Sequence, residues 1–206
     1  MYVPKHFRED NIQTVKALVR DNPFAILVTT STKGPIASHV PVELHDIDDG
    51  SFQLVGHLAR ANTQWETLSS DADVLVIVSG PHAYVSPDWY ESPAVPTWNY
   101  QSVHLYGKPQ VTHDGDEILS ILADLVSRHH RCVSAEGIGQ ELSLGPETMD
   151  ALVRNVVGFR VVVDRIEAVS KLSQNRSDGD YSNVIRMLEK SEDPGALAVS
   201  VAMRQL

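Results

Sequence analysis

The segment GHLARANTQW at residues 56–65 combines residue types that could bind a phosphate group. It stands where a predicted strand ends and a predicted short helix begins, and backbone N–H groups at a helix start attract phosphate. Arg60 could add a bidentate pair of hydrogen bonds, and Asn62 and Thr63 offer further polar contacts. The alternative is structural, with Asn62 capping the helix and Arg60 solvated. The residues alone leave both interpretations open.

A second segment, residues 80–107, concentrates aromatic side chains in a chain that is only 6% aromatic. Aromatic rings with polar tips suit stacking on a planar ring system, and they also suit a dimer interface. An ordinary aromatic core is the third possibility, and the cluster by itself does not decide among them. The aromatic residues that define this cluster are Tyr84, Trp89, Tyr90, Trp98, Tyr100 and Tyr106.

The segment KLSQNR at residues 171–176 directly follows the last predicted strand and is dense in hydrogen-bond donors. Such a set beside a buried strand is suited to closing over a ligand that carries many acceptors. The alternative is a surface turn rich in polar residues, which is common in proteins.

Signatures of enzymatic catalysis are scarce, because the chain has no GxSxG, P-loop, HExxH or paired CxxC motif. His129, His130 and Cys132 lie near the end of a predicted helix, where imidazole interacts favourably with the helix dipole. We prefer that interpretation to a metal site, because adjacent helical residues point in different directions. The stretch GIGQEL at 137–142 has no preceding strand and lacks a third glycine, so we dismiss a dinucleotide turn there.

The elements that must position these segments are mainly strands in the first half of the chain. Apolar runs and alternation predict strands over 24–30, 36–44, 52–58, 74–78, 83–86, 97–106, 108–111 and 159–169. Helical spacing predicts helices over 9–22, 62–69, 117–130 and 146–156, with a helical tail from about residue 180. This order predicts an α+β fold: an antiparallel β-barrel with peripheral helices, in one domain over 1–206 whose tail is 177–206.

Five local features sharpen that prediction. Gly34 is expected to adopt a positive φ in a turn. Pro41 lacks a ladder donor, which predicts that its strand lies at an edge or is kinked. Gly80-Pro81 predicts a break after the strand at 74–78, and Gly107 predicts a bend before residues 108–111. Residues 132–145 are expected to form a loop.

The composition narrows the classes of partner and compartment. The net charge is -10 and the lysines and arginines are scattered, so direct binding to phosphate backbones is disfavoured. The single cysteine, Cys132, excludes an intrachain disulfide. The N-terminus is charged where a signal peptide needs an apolar stretch, and no apolar run is long enough to cross a bilayer. We therefore expect a cytoplasmic protein without membrane contact.

Together these segments resemble the PaiB family of FMN-binding negative transcriptional regulators. The resemblance covers nearly the whole chain in family order, and its most specific pieces are VPTWNY and KLSQNR. The matching segments are MYVPKHF at 1–7, SHVPVEL at 38–44, GHLARANTQW at 56–65, AYVSPDWY at 83–90, VPTWNYQSVHLYGK at 95–108 and KLSQNR at 171–176.

The resemblance implies a split β-barrel of the pyridoxamine-phosphate-oxidase type, which binds FMN as a homodimer with each site built from both subunits. It implies that Arg60 and Asn62 hold the phosphate with the backbone around Ala59 and Ala61. The segment VPTWNY would bring Trp98, Asn99 and Ser102 toward the flavin ring. The remaining expected contacts are Thr29, Thr30, Ser38 and His39 from the first hairpin, with Lys171, Ser173, Gln174 and Arg176 closing over the cofactor.

For function, the resemblance implies a repressor of transcription, and the charge and the absence of a helix-turn-helix pattern predict an indirect action or a partner. The alternative is a flavin-dependent or heme-dependent oxidoreductase, since a bound flavin carries the electrons without an acid–base dyad. A third hypothesis is an interaction module that keeps the fold without the cofactor. Loose heme-ligand candidates are His39, His57, His82 and His104. The last part of the tail, ALAVSVAMRQL at 196–206, offers only Arg204 as a cation, which argues against pyridoxal phosphate chemistry.

Overall fold

The computed structural model of the chain describes residues 1–47, 50–68, 72–133 and 146–206. Helices begin where side chains can cap them: the side chain of Asn11 accepts a hydrogen bond from the Gln13 N–H, and that of Asp193 accepts one from the Gly195 N–H. Short 3-10 helices lie at Lys5–Phe7 and Pro87–Trp89. The α-helices are α1 (Ile12–Asp21), α2 (Gln64–Thr67), α3 (Gly115–Val133), α4 (Pro146–Asn155), α5 (Asp178–Glu189) and α6 (Pro194–Arg204).

The strands of the described residues form one closed antiparallel sheet, in the order β1-β2-β3-β6-β5-β4. The predicted α+β class and the antiparallel barrel are therefore confirmed. The strands are β1 (Phe24–Ser31), β2 (Gly34–Asp46), β3 (Phe52–Ala59), β4 (Val74–Val85), β5 (Thr97–Thr112) and β6 (Val156–Lys171).

The hairpin of β1 and β2 has the turn that the sequence predicts. Gly34 has a φ of +115°, which a glycine adopts without a steric penalty, and the Ser31 Oγ donates a hydrogen bond to the Gly34 carbonyl at 2.9 Å. The register places Thr29 opposite Ile36 and Leu27 opposite Ser38. This pairing fixes which residues of the hairpin share a face.

Of the two alternatives predicted at Pro41, an edge strand or a kink, the edge strand is wrong, because β2 lies between β1 and β3. Pro41 is the last residue of β2 that pairs with β1, opposite Phe24, and pairing with β3 begins at Val42 opposite Gly56. The missing donor of Pro41 thus falls where the strand changes partners.

The predicted break at Gly80-Pro81 is also wrong, since β4 runs through it from Val74 to Val85. The alternation of buried residues nevertheless changes phase there, from Val78 and Gly80 to Ala83 and Val85, as an inserted residue would cause. Gly107 does not end a strand either: β5 continues, and a Cβ at Gly107 would lie 1.9 Å from the Val162 carbonyl oxygen. Glycine is required there because β6 approaches closely.

The described chain divides into two compact units that are discontinuous in sequence. We call Met1–Asn22, Val78–His104 and Glu167–Leu206 unit 1, and Pro23–Ile77 and Leu105–Ile166 unit 2. The core of unit 1 includes Val85, Leu172, Val184, Leu188 and Val199, and that of unit 2 includes Leu27, Leu54, Val76 and Phe159, each fully or almost fully buried. The single domain over 1–206 stays a prediction. In the described part of the chain, no helix is both long and apolar enough to cross a bilayer.

Candidate cofactor site

The predicted hairpin residues lie on two faces of β1 and β2. Thr29 is 3% exposed and shares the inner face with Ser38, whereas Thr30 and His39 are exposed on the outer face. The His39 ring stacks on the exposed Phe24 ring, with 5.9 Å between the centroids. The hairpin therefore does not bring its predicted cofactor contacts to one surface.

The inner face of the hairpin is joined to α2 by a hydrogen-bond network in unit 2. The Asn62 amide donates to the Ser38 Oγ at 2.8 Å. The buried Gln64 amide donates to the Thr29 Oγ1 at 3.2 Å and to the Leu27 carbonyl at 3.0 Å. Since the Ser38 hydroxyl accepts a hydrogen bond from Asn62, its own proton is free to be donated to a ligand.

Asn62 satisfies N–H groups at the start of α2, as the structural alternative expected, although Thr63 occupies the N-cap position. Its Oδ1 accepts the N–H of Gln64 at 3.1 Å, and its backbone carbonyl accepts the N–H of Trp65. The helix begins at Gln64 rather than Asn62 and has only four residues. The first N–H groups of α2 are thus already bonded within the segment.

Arg60 is partly exposed but bonded to the protein, whereas the structural alternative expected it to be solvated. Its Nε donates to the Arg154 carbonyl and its Nη2 to the Val156 carbonyl, each at 2.8 Å. Its Nη1 lies 3.3 Å from His113 Nδ1. Ala59, which precedes it at the end of β3, is exposed. Arg60 therefore closes the junction of α4 and β6, with two of its five N–H groups left over.

The alternation of β5 separates the predicted ring contacts. Trp98 is 53% exposed and Ser102 is half-buried on the same face as Tyr100. Asn99 points to the opposite face and is 0% exposed. Trp98 and Ser102 thus share a surface that Asn99 does not reach.

That surface carries a groove of about 340 Å³ in unit 1, within the range of small-molecule sites. Trp98 makes an edge contact with Tyr84 at 6.1 Å between centroids and lies 6.2 Å from His82. Aromatic and polar side chains therefore line one concave surface. The lining residues are Met1, Ser79, Gly80, His82, Trp98, Tyr100, Gln101 and Ser102.

The KLSQNR segment forms a turn that its own side chains brace. Gln174 accepts a hydrogen bond from the Leu172 N–H and donates one to the Ser170 carbonyl, so its amide is committed to the turn. The Arg176 N–H donates to the Ser173 carbonyl at 3.0 Å. Ser173 has a φ of 66°, in the left-handed region that non-glycine residues adopt rarely.

The turn is fastened to the start of β5, so the structure brings two of the predicted segments together in unit 1. The Lys171 ammonium donates to the Thr97 hydroxyl and to the Trp98 carbonyl. The Asn99 amide donates to the Ser173 Oγ at 3.0 Å, and the Ser173 hydroxyl donates back to Asn99 Oδ1 at 3.1 Å. VPTWNY and KLSQNR thus act as one structural piece.

Two cations of the turn carry uncompensated charge. Burial lowers the pKa of Lys171, and the positive charge of Arg176 lowers that pKa further. The Arg176 guanidinium lies 4.4 Å from the centre of the Tyr90 ring, a cation–π distance. Among the described residues neither cation forms an ion pair, so an anion at this turn would be stabilised.

The sequence reasoning missed Gln64 and Thr67. Gln64 had a signal: it stands four residues before the buried Leu68 and so on the inward side of the helix, where a polar residue needs partners. The predictions about GIGQEL at 137–142 lie outside the described residues, as do the side chains of His130 and Cys132. No group of metal-ligating side chains occurs among the described residues. Burial lowers the pKa of His57 and of His104.

Comparison with known proteins shows the family to which the chain belongs. The family described as "Putative FMN-binding domain" matches residues 1–165. Protease synthase and sporulation protein PAI 2 of Bacillus subtilis is 38% identical over 203 residues, which span 98% of this chain and 96% of that protein. The chain belongs to the PaiB family of FMN-binding proteins. An uncharacterized protein of Emericella nidulans is 30% identical to this PaiB-family chain, over 92% of the chain and 90% of the relative.

Solved structures that resemble the PaiB-family chain establish its fold as the split β-barrel of flavin-binding proteins. The flavocytochrome Anf3 from Azotobacter vinelandii aligns with a TM-score of 0.64 at 15% identity, over 88% of this chain and 78% of that one. The FAD and heme binding protein from Mycobacterium smegmatis aligns with a TM-score of 0.61 at 17% identity, over 85% and 78%.

FMN is the cofactor that family membership assigns, and the donor set of the chain fits it. FMN presents a phosphate and ring carbonyl oxygens, which are acceptors. Unit 1 offers two complementary donors that are not ion-paired within the described residues: the Lys171 ammonium and the Arg176 guanidinium. The groove beside Trp98 adds an aromatic surface for a planar ring.

Proposed function

We propose that this chain is an FMN-binding regulator that lowers transcription indirectly or through a partner protein. The observation that carries the proposal is the match to Protease synthase and sporulation protein PAI 2 across 98% of the chain. Because that match includes both KLSQNR and the C-terminal helices, it favours a shared function for the whole chain.

The charge of the chain supports an indirect action. With a net charge of -10, the protein repels a phosphate backbone at long range, and binding to DNA would need a local basic face. Four of the described cations are neutralised in ion pairs: Arg128 bonds Glu43, Arg160 bonds Glu117, Lys108 bonds Asp73 and Arg204 bonds Glu189. A partner protein therefore makes the DNA contact in our proposal.

The groove of unit 1 is the place that we propose for the flavin ring. Trp98 supplies a stacking surface, and its indole ring contacts the rings of Tyr84 and His82. The Ser102 hydroxyl donates to the Val78 carbonyl at 3.3 Å, so it orients the strands beneath the groove rather than offering its proton to a ligand. When bound, FMN supplies reversible electron transfer, which gives a regulator a redox-dependent state.

Lys171 and Arg176 have a distinct role in the proposal. Lys171 is held beside the Trp98 carbonyl, at the end of the groove-lining strand, and its positive charge favours acceptor groups of the cofactor. The Arg176 guanidinium keeps free N–H groups while its face rests on Tyr90. Together they hold the acceptor-rich parts of FMN and exclude water from them.

A homodimer is the working form that we propose. Exposed aromatic side chains such as Trp98 and Tyr84, which is 47% exposed, are typical of interface residues and support it. Sedimentation velocity of the FMN-loaded chain should give twice the mass of one chain. A monomer at micromolar concentration would contradict this part of the proposal.

An electrophoretic mobility-shift titration tests the mode of regulation. The full FMN-loaded chain is titrated onto the DNA upstream of its own coding region, at about 0.15 M salt, where non-specific contacts are weak. The chain alone should produce no sequence-specific shift. A tight shift that a scrambled duplex does not compete away would show that the protein itself binds DNA.

The same preparation separates a regulator from an oxidoreductase. The FMN-loaded chain is mixed with NADH or NADPH in air, and the flavin absorption band is followed. A regulator should show no sustained turnover of either nucleotide. Steady consumption of nucleotide at rates typical of enzymes would replace the proposed function with a flavin-dependent oxidoreductase.

A further inference from the structure

Asn99 and Ser173 form a hydrogen-bonded pair in the interior of unit 1. Asn99 is 0% exposed and Ser173 is 4% exposed. Their side chains exchange two hydrogen bonds, at 3.0 and 3.1 Å, and the Asn99 amide also lies 3.5 Å from the Met203 Sδ in α6. Removing one partner of such a pair leaves the other buried without a hydrogen bond, which destabilises the fold.

The pair sits at the one point of the turn where the backbone is unfavourable. Among the described residues, Ser173 is the non-glycine residue with a positive φ, at 66°. A left-handed conformation at such a residue persists only when its surroundings hold it. The two hydrogen bonds to Asn99 are the contacts that hold the Ser173 side chain, and they connect the turn to β5.

The cations of the turn flank this point. Lys171 lies two residues before Ser173 and reaches back to Thr97 and the Trp98 carbonyl, and Arg176 lies three residues after it, its N–H bonded to the Ser173 carbonyl. If Ser173 left the left-handed region, the direction of the chain would change between the two cations.

We propose that Asn99 and Ser173 are positioning residues, which hold the 171–176 turn in the conformation that presents Lys171 and Arg176 to FMN. This inference rests on the proposed function and changes the expected role of both residues. They act from the interior through the turn and do not touch the cofactor.

Titration of the full-length apoprotein with FMN, followed by flavin fluorescence, tests the inference. Ser173→Ala removes the hydrogen bonds but keeps a side chain that disfavours a positive φ, so FMN binding should weaken about tenfold. Ser173→Gly also removes the bonds, but glycine adopts the conformation freely, so the loss should be smaller, about threefold or less.

A double-mutant cycle separates positioning from general stability. In a chain that already carries Lys171→Met and Arg176→Met, Ser173→Ala should change FMN affinity by less than about twofold, because no cation remains to be misplaced. Ser200→Ala is the matched control. Ser200 is 2% exposed in the same unit, and among the described residues its hydroxyl bonds only the Leu197 carbonyl of its own helix.

Each outcome decides a separate point. The inference is supported if Ser173→Ala weakens FMN binding and this weakening disappears in the chain that lacks the two cations. A lower melting temperature with wild-type FMN affinity, or an equal loss in both backgrounds, overturns it while leaving the proposed function intact. If the wild-type chain binds no FMN, the proposed function falls, and this inference with it.

Discussion

The guanidinium group of Arg60 has hydrogen bonds that reach far along the chain. It binds the carbonyl oxygens of Arg154 and Val156 and contacts His113, so three of its five N–H groups are engaged. The remaining two N–H groups could still form a bidentate pair with phosphate. One residue can therefore stabilise unit 2 and bind a ligand, and the two roles are separable by experiment.

Arg60→Ala should lower the free energy of unfolding by about 2 kcal/mol, because two carbonyl oxygens lose a charged donor. If Arg60 also binds the phosphate, FMN affinity should fall by about 1.5–3 kcal/mol while riboflavin affinity does not change. Urea unfolding and parallel titrations with FMN and riboflavin measure both effects. Arg154→Ala is the control, since it removes a neighbouring exposed cation but keeps the carbonyl oxygen that Arg60 binds. An unchanged FMN affinity in Arg60→Ala would remove Arg60 from the site.

The pKa of Lys171 predicts how FMN binding depends on pH. Burial and then the charge of Arg176 lower this pKa below the ordinary 10.5, so the folded chain loses the proton at a lower pH than the unfolded chain. Between those two pKa values the unfolded state binds more protons, and the stability of the apoprotein should rise with pH. Affinity for FMN should change in the opposite direction and fall as pH rises through the lowered pKa, because a neutral amine no longer attracts the cofactor.

Fluorescence titrations across the alkaline range, below pH 10.5, measure this decline. The phosphate does not cause it, since the second ionisation of a phosphate monoester has a pKa of about 6 and is complete before the alkaline range. Lys171→Arg keeps its charge throughout and should bind FMN without the alkaline loss. The same decline in Lys171→Arg would assign it to another group.

At the scale of the elements, a few buried polar residues join helices to strands by hydrogen bonds, and Gln64 is the clearest example in unit 2. Its amide nitrogen bonds the Leu27 and Ile36 carbonyls and the Thr29 hydroxyl, so it ties α2 to both strands of the first hairpin. Its Oε1 is buried with no hydrogen-bond partner among the described residues. That orphaned atom lowers the net stabilisation that Gln64 contributes.

Gln64→Ala should destabilise the chain by about 2–3 kcal/mol, because acceptors buried with Gln64 lose their donor and a cavity remains. Urea unfolding monitored by circular dichroism gives the value. Gln110→Ala, at an exposed position on β5, is the control and should change stability by less than about 0.5 kcal/mol. A loss in Gln64→Ala no larger than the control would show that the network does not hold the hairpin.

The strands and their faces follow largely from the sequence. The family resemblance placed Trp98 and Asn99 together toward the flavin ring, whereas the structure puts them on opposite faces of β5, as the alternation of a strand requires. The turn at Gly34 is predictable because only a few residue types tolerate its φ. Partners distant in the chain were not predictable, such as those of Arg60, 94 and 96 residues away, because local pattern contains no information about tertiary pairing. For the same reason β4 was interrupted at Gly80 in the prediction and continuous in the structure.

At the scale of the whole molecule, the net charge is compatible with the binding of FMN that the family membership indicates. A net charge of -10 leaves little attraction for DNA, and the PaiB family supplies a cofactor whose binding needs only local cations. Lys171 and Arg176 provide that local charge on one turn, although the chain as a whole is acidic. An acidic chain can thus bind FMN through local cations while its net charge repels a longer polyanion such as DNA.

Calorimetric titration of the full-length apoprotein with FMN tests the central claim most directly. We expect saturable binding of one FMN per chain, with weaker binding in a chain that carries Lys171→Met and Arg176→Met. Heat no greater than that of dilution for the wild-type chain, or equal affinity in the doubly substituted chain, would contradict the account.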